Sequence, residues 1–135
     1  MSVKMEGTYV GQTRVRLTHE SGMEITTCAP KDNGGDGSLF SPTDLAAAAT
    51  GACILTIMAQ VAEREGIEFE GARFACEKSM ASSPRRIGKI VLELHVPGSI
   101  TDKQRKKLEI AAENCPVKRS LDPAVEVEIR YHWGD

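Results

Sequence analysis

The stretch LAAAATGACILTIMAQVA, residues 45–62, decides how this chain folds. Apolar and small residues occupy nearly all of it, so as a helix it would bury most of its circumference rather than one narrow stripe. Its start is marked by SPTD: Ser41 can cap, Pro42 takes the first helical position, and Asp44 falls three residues after Ser41 as in a capping box. AEREG, ending at Gly66, marks the stop and leaves a helix of about six turns. By length the same run is the one candidate membrane span. Four consecutive alanines with Thr50, Gly51, Thr56 and Gln60 fall short of the roughly 20 strongly apolar residues such a span needs. The reading is a buried helix carrying Cys53 near its middle.

Working outward, residues 9–28 read as a β-hairpin: TRVRLT and MEITTC alternate polar and apolar residues around a turn containing Gly22. KDNGGDGSLFSP, residues 31–42, is a glycine-rich loop. As a calcium loop starting at Asp32 it puts Gly34 and Thr43 where ligands belong, and as a phosphate loop it lacks the Gly-Lys-Ser/Thr ending, so it reads as a flexible lead-in to the helix. Beyond the helix, IEFEGARFACEKSM (67–80) and KIVLELHVPG (89–98) each contain an alternating strand joined by ASSPRRIG. Thr101 and Gln104 form a second capping box opening the amphipathic helix TDKQRKKLEIAAENC, with Leu108, Ala111, Ala112 and Cys115 on its apolar stripe. Pro116 stops that helix or opens a new turn, and AVEVEIRYHW (124–133) is a last alternating strand. Strands grouped around two helices, without regular strand–helix alternation, predict an α+β fold in a single domain over residues 1–135.

Composition narrows the function. The chain is 41% hydrophobic and 27% charged with a formal net charge of -2, which offers no basic footprint for nucleic acid. Aromatic residues make up only 4%, too few for a base-stacking platform. The basic run KQRKKLE reads as the wet face of the second helix. MSVKMEGTYV contains no apolar signal core, so the cysteines are expected in a reducing cytoplasm, where disulfides tend to be catalytic or redox-sensing.

The cysteines stand at 28, 53, 76 and 115, with no Cys-x-x-Cys pair and no histidine at zinc-ligand spacing, so no metal site is expected. Cys28 and Cys76, on strands, read as small packing residues. Cys53 and Cys115 differ: each lies on the face its helix should bury, and two helices over one sheet would turn those faces together. Spacing alone leaves a redox pair and passive packing both open. No Gly-x-Ser-x-Gly elbow supports a serine hydrolase. His19, His95 and His132 lie on or beside strands, where surface placement is commoner than catalysis.

SPTDLAAAATGAC (41–53) resembles the first cysteine motif of the OsmC/Ohr family, which includes organic hydroperoxide resistance proteins, and CPVKRSL (115–121) is similar to its second. The order of elements agrees across most of the chain. The resemblance implies an OsmC-like fold: an N-terminal hairpin, a long buried central helix, further antiparallel strands and a second cysteine-bearing helix. It also implies an intertwined homodimer with active sites at the interface. By the same resemblance Cys53 is the peroxidatic residue of an organic hydroperoxide reductase and Cys115 the resolving one. A small or dihydrolipoyl dithiol is the implied reductant, with no other cofactor and no nucleic-acid or membrane partner. The apolar helix around Cys53 would favour alkyl or aryl hydroperoxides.

Apolar burial raises a thiol's pKa, so a cation is needed beside Cys53. The resemblance implies an arginine steadied by a carboxylate. Arg14 and Arg16 share one face of the hairpin, and Arg16 is preferred. The peroxidases of the family carry a glutamate directly after the proline, where this chain has Thr43. Asp44 comes next, but nine residues along an ideal helix put it opposite Cys53 and about 13 Å away along the axis, which suits a cap. Two other readings compete: a non-catalytic dimer binding an apolar small molecule, and a thiol redox switch.

Overall fold

The computed structural model describes residues 1–134. They form two compact units, one from Met1 to Ala46 and one from Ala47 onward.

The first unit is an antiparallel sheet of β1 (Met5–Gly11), β2 (Arg14–His19) and β3 (Glu24–Cys28) in that order. β2 and β3 are the hairpin the alternation predicts, with Gly22 at φ 95 in its turn. β1 is an addition. It joins β2 through Gln12 and Thr13, whose φ values are 54 and 59. Such a turn normally advertises itself by Asn-Gly, and the pair Gln-Thr hides it. Alternation along the strands puts Met5, Tyr9, Val15, Leu17 and Ile25 on one face and Arg14, Arg16, Glu24 and Cys28 on the other. The apolar face stays open, Met5 being 68% and Tyr9 66% exposed, and it holds a groove of about 470 Å3 lined by Met5, Leu17, Met23 and Ile25 among others.

Helix α1 (Pro42–Glu65) begins where expected. The capping box closes in both directions: the Ser41 amide donates to Asp44 Oδ2 at 2.9 Å, and the Asp44 amide donates to Ser41 Oγ at 3.0 Å. Mean hydropathy of 1.8 over 18 residues makes α1 long and apolar enough to cross a membrane by length and composition alone. Within the second unit, however, Ala47, Thr50, Gly51, Ile54, Met58 and Ala62 form a buried stripe. Ala49, Ala52 and Thr56 stay exposed, so burial within this chain covers one side of the helix rather than its whole girth.

The stripe packs into a core with Ile90, Leu92, Leu94 and Val96 of β5 (Arg86–Val96) and Leu108, Ala111 and Ala112 of α2 (Asp102–Glu113). β4 (Arg73–Ala81) pairs antiparallel with β5, as expected of consecutive strands joined by a short turn. β6 (Glu126–Trp133) departs from the antiparallel expectation and runs parallel to β5. The reason is the intervening crossover: α2 and α3 (Pro116–Ser120) carry the chain back before β6 begins. The other face of this sheet is polar. His95 and His132 stack there with ring centroids 4.5 Å apart, and His132 and Arg130 both engage Glu93, which accounts for His132 as an exposed residue and leaves His95 half-buried.

Gly51 shows how closely α1 approaches the sheet. A Cβ there would stand 2.4 Å from the Phe74 ring on β4, far inside contact distance. Gly51→Ala is expected to destabilise the protein by about 1–3 kcal/mol through overpacking, despite alanine's better helix propensity. Chemical denaturation checks this: an unchanged or higher midpoint would mean that the ring moves aside without cost.

Candidate active site

Cys53 lies on the margin of the buried stripe of α1, half-buried and packed against the core. Cys115 is fully buried. It does not end α2, as the sequence suggests, but stands between α2 and α3 as the N-cap of the latter, with Pro116 opening the new helix. Its Sγ accepts a hydrogen bond from the Lys118 amide at 3.4 Å and lies 3.9 Å from the Thr50 carbonyl oxygen on α1. Cys53, three residues after Thr50 on α1, is near enough to act electrostatically on the Cys115 thiol. Both are free thiols in this structure.

The environment separates the two sulfurs. Burial pushes the Cys115 thiol above its ordinary range, and the nearby Cys53 pushes it the same way, against smaller opposing pulls from the Lys118 and Val117 amides. These effects favour the protonated form of Cys115. The Lys118 ammonium does not neutralise the pair, being tied to Glu113 at 2.6 Å.

The remaining cysteines divide differently from expectation. Cys28 is buried as read. Cys76 is exposed, because β4 is an edge strand and the core does not extend over that position. Among the described residues no three His, Cys, Asp or Glu side chains gather as metal ligands would.

In the first unit, Arg16 is half exposed and reaches Glu24 at 4.0 Å. Arg14 is anchored more firmly: its guanidinium donates to Asp36 at 3.1 Å, to Ser38 Oγ at 3.2 Å and to Gln12 at 3.2 Å. The Cys28 thiol donates to Asp36 at 3.6 Å. This set corrects the reading of residues 31–42 as flexible. Asp36 receives both the amide and the hydroxyl of Ser38, and Gly35 sits where a Cβ would be 1.7 Å from the Ala29 oxygen, so the loop is pinned to the sheet. The aspartate two places before a serine was the available signal. Thr43 Oγ1 shares a hydrogen bond with Ser41 Oγ at 3.2 Å, and Asp44 serves the cap.

Hydrogen bonds from Ser38 and the charge of Arg14 hold the Asp36 carboxyl down at about 2. A depressed carboxyl contributes stability above its ordinary pKa of 3.8 that is lost as pH falls toward 2. Asp36→Asn is thus expected to be less stable than the parent at pH 6, with the difference closing below about pH 2. Parallel acid titrations followed by circular dichroism check it, and a constant gap would remove Asp36 from the account.

The family described as OsmC-like protein matches residues 35–130. A crystal structure from Psychrobacter arcticus 273-4, provisionally described as an osmotic stress induced and detoxification response protein, is 35% identical. It superposes with a TM-score of 0.91, covering 95% of this chain and 94% of that one. An organic hydroperoxide resistance protein of Bacillus subtilis shares the fold at 20% identity and a TM-score of 0.71, covering 97% and 98% of the two chains. An uncharacterized protein of Acinetobacter baylyi is 28% identical over 108 residues, 78% of this chain and 76% of that protein.

Proposed function

From the premise that this chain belongs to the OsmC-like protein family, we propose that it is a thiol-dependent peroxidase that reduces organic hydroperoxides in defence against oxidative stress. The observation that carries this reading is the pairing of Cys53 and Cys115 in one apolar core, one sulfur at its margin and the other sealed within. Organic hydroperoxide resistance proteins of the same fold support the choice of substrate class.

The Cys53 thiolate attacks the terminal oxygen of a hydroperoxide. An S–O bond forms, the O–O bond breaks, and the alkoxide leaves and is protonated to the alcohol. The Cys115 thiol then attacks the sulfenic sulfur: an S–S bond forms, the S–OH bond breaks, and water leaves with the Cys115 proton. A dithiol of the dihydrolipoyl type reduces the disulfide by exchange and is itself oxidised. The net reaction turns one hydroperoxide and one dithiol into an alcohol, water and a cyclic disulfide. Ile57, one turn after Cys53 on α1 and partly buried against the core, favours apolar substituents on the peroxide.

The protein is assigned to the cytoplasm, where a reducing pool keeps such thiols cycling. A homodimer with active sites at its interface is part of the reading. The open apolar face of the first sheet and the exposed side of α1 both support a second copy as the missing cover. Arg16 is assigned as the substrate-activating cation, its guanidinium being half exposed and only loosely held by Glu24. Arg16→Ala is expected to slow peroxide consumption about tenfold or more, as loss of a positioned charge does. A loss confined to Arg14→Ala would move the assignment to that arginine.

Counting free thiols before and after one equivalent of cumene hydroperoxide tests the central claim. Rapid loss of two thiols, mapped to a Cys53–Cys115 disulfide, is expected. Survival of all four would sink the peroxidase reading and turn attention to the groove of the first sheet as a ligand site.

A further inference from the structure

We propose that the turn end of the first sheet is a binding site for a soft monovalent cation of the copper(I) type, held by Met5, His19 and Met23. The site lies outside the peroxidase machinery and does not rest on that reading. It begins with one rung of the sheet. Met5 on β1 is the Cα partner of His19 on β2, and the His19 amide donates to the Met23 carbonyl oxygen at 2.8 Å across the β2–β3 turn. Residues directly opposite one another on antiparallel strands send their side chains to the same face. All three side chains accordingly line one groove, the apolar groove of about 470 Å3. Two thioethers flank one imidazole in a single row.

That donor set has a chemical meaning. Thioether sulfur is a soft, uncharged ligand that selects copper(I), and imidazole nitrogen suits copper as well, whereas magnesium and calcium require oxygen. The row is a different donor set from a cluster of His, Cys, Asp and Glu, of which no group of three gathers among the described residues. Both sulfurs are open to solvent: Met5 and Met23 are exposed, while Met58 is sealed in the core. Apolar cover alone would be served equally by leucine at either position.

His19 is steadied from behind, as metal-binding imidazoles are. Its Nδ1 lies 2.8 Å from Ser21 Oγ and accepts the Ser21 amide at 3.0 Å. Nε2 is left as the nitrogen for a ligand. On coordination the amide contact is given up, Ser21 Oγ accepts the Nδ1 proton, and the Nε2 lone pair turns to the metal. The row is the last rung of the sheet, next to a polar rim where the Lys4 amide donates to Glu20 at 2.9 Å. The inner rungs, Gly7–Leu17–Ile25 and Tyr9–Val15–Thr27, remain for a second copy to cover.

The test titrates the full chain, labelled with 13C at its methionine methyl groups, with silver(I) as a redox-stable stand-in for copper(I), followed by NMR. It is run in the parent and in a Cys53→Ser, Cys76→Ser background, because those two thiols are not buried and thiolates also take soft metals. In that background the Met5 and Met23 methyl signals and the His19 ring signals should move together and saturate at one silver per chain. Met1, exposed but not on the rung, and Met58 should stay in place. Met5→Leu, Met23→Leu and His19→Ala should each weaken binding by about tenfold or more, and Ser21→Ala by about tenfold through loss of the ring's support. Leucine keeps the volume of methionine, so the sheet should hold in those variants.

Silver(I) shifting Met1 as strongly as Met5 and Met23 would overturn the site, as would His19 signals that stay still. Zinc(II) displacing silver(I) at equal concentration would overturn it too, since thioethers do not favour zinc over a softer ion. None of these results bears on the Cys53–Cys115 disulfide, which the thiol count decides separately.

Discussion

Cys53→Ser is expected to lower the rate of organic hydroperoxide consumption by at least about three orders of magnitude. A serine hydroxyl in the same place stays protonated at neutral pH and is a poor nucleophile toward a peroxide oxygen. No other sulfur is placed to substitute. Cys115 is fully buried in surroundings that favour its protonated form, Cys28 is buried in the first unit, and Cys76 lies exposed on an edge strand. The fold should survive, because Cys53 sits at the margin of the core and serine is of similar size. The measurement is peroxide loss in the presence of dihydrolipoamide, with circular dichroism as the control for folding. A folded variant that keeps even a tenth of the parent's rate would mean that the chemistry resides elsewhere.

The largest effect on stability is expected at Ile54, the residue after the thiol. It is fully buried in the core that α1 shares with β5 and α2. Ile54→Ala removes three carbons from a close-packed site, and such truncations cost about 2–5 kcal/mol through lost transfer energy and the cavity left behind. That is a large share of the roughly 5–15 kcal/mol by which domains are typically stable. Equilibrium urea unfolding measures it, and a loss below about 1 kcal/mol would mean the core collapses around the gap. The variant also carries a functional consequence. Ile54 keeps the stripe of α1 seated, and Thr50, one turn earlier, holds the carbonyl against which Cys115 rests. Loosening that seat should move α1 away from Cys115 and slow disulfide closure more than sulfenic acid formation.

Much of this architecture was readable along the chain. Start signals such as SPTD and Thr101–Gln104 act within one turn, so both capping boxes formed as read. Alternation marked β2, β3, β5 and β6 because each of those strands has one face unlike the other. β1 was missed because its glycines and exposed residues carry no such contrast, and its turn uses Gln-Thr in place of the usual glycine pair. The parallel course of β6 was hidden for another reason: a strand's direction is set by the crossover before it and leaves no trace in its own alternation.

The site divides along the same line. The sequence by itself determined that two cysteines sit on buried helical faces in motifs resembling those of the OsmC/Ohr family, since hydrophobic period and local capping depend on neighbours a few residues apart. Only the tertiary structure decided that Cys115 caps α3, that its thiol meets the Thr50 carbonyl near Cys53, and that Asp36 anchors Arg14. The contacts of Cys115 with α1 and of Asp36 with Arg14 join residues 22 to 65 positions apart, with side chains or backbone atoms meeting in space. No periodicity along the chain records which of several distant partners a thiol or a guanidinium will face. Packing of the core, which fixes the distance between α1 and the turn after α2, makes that choice.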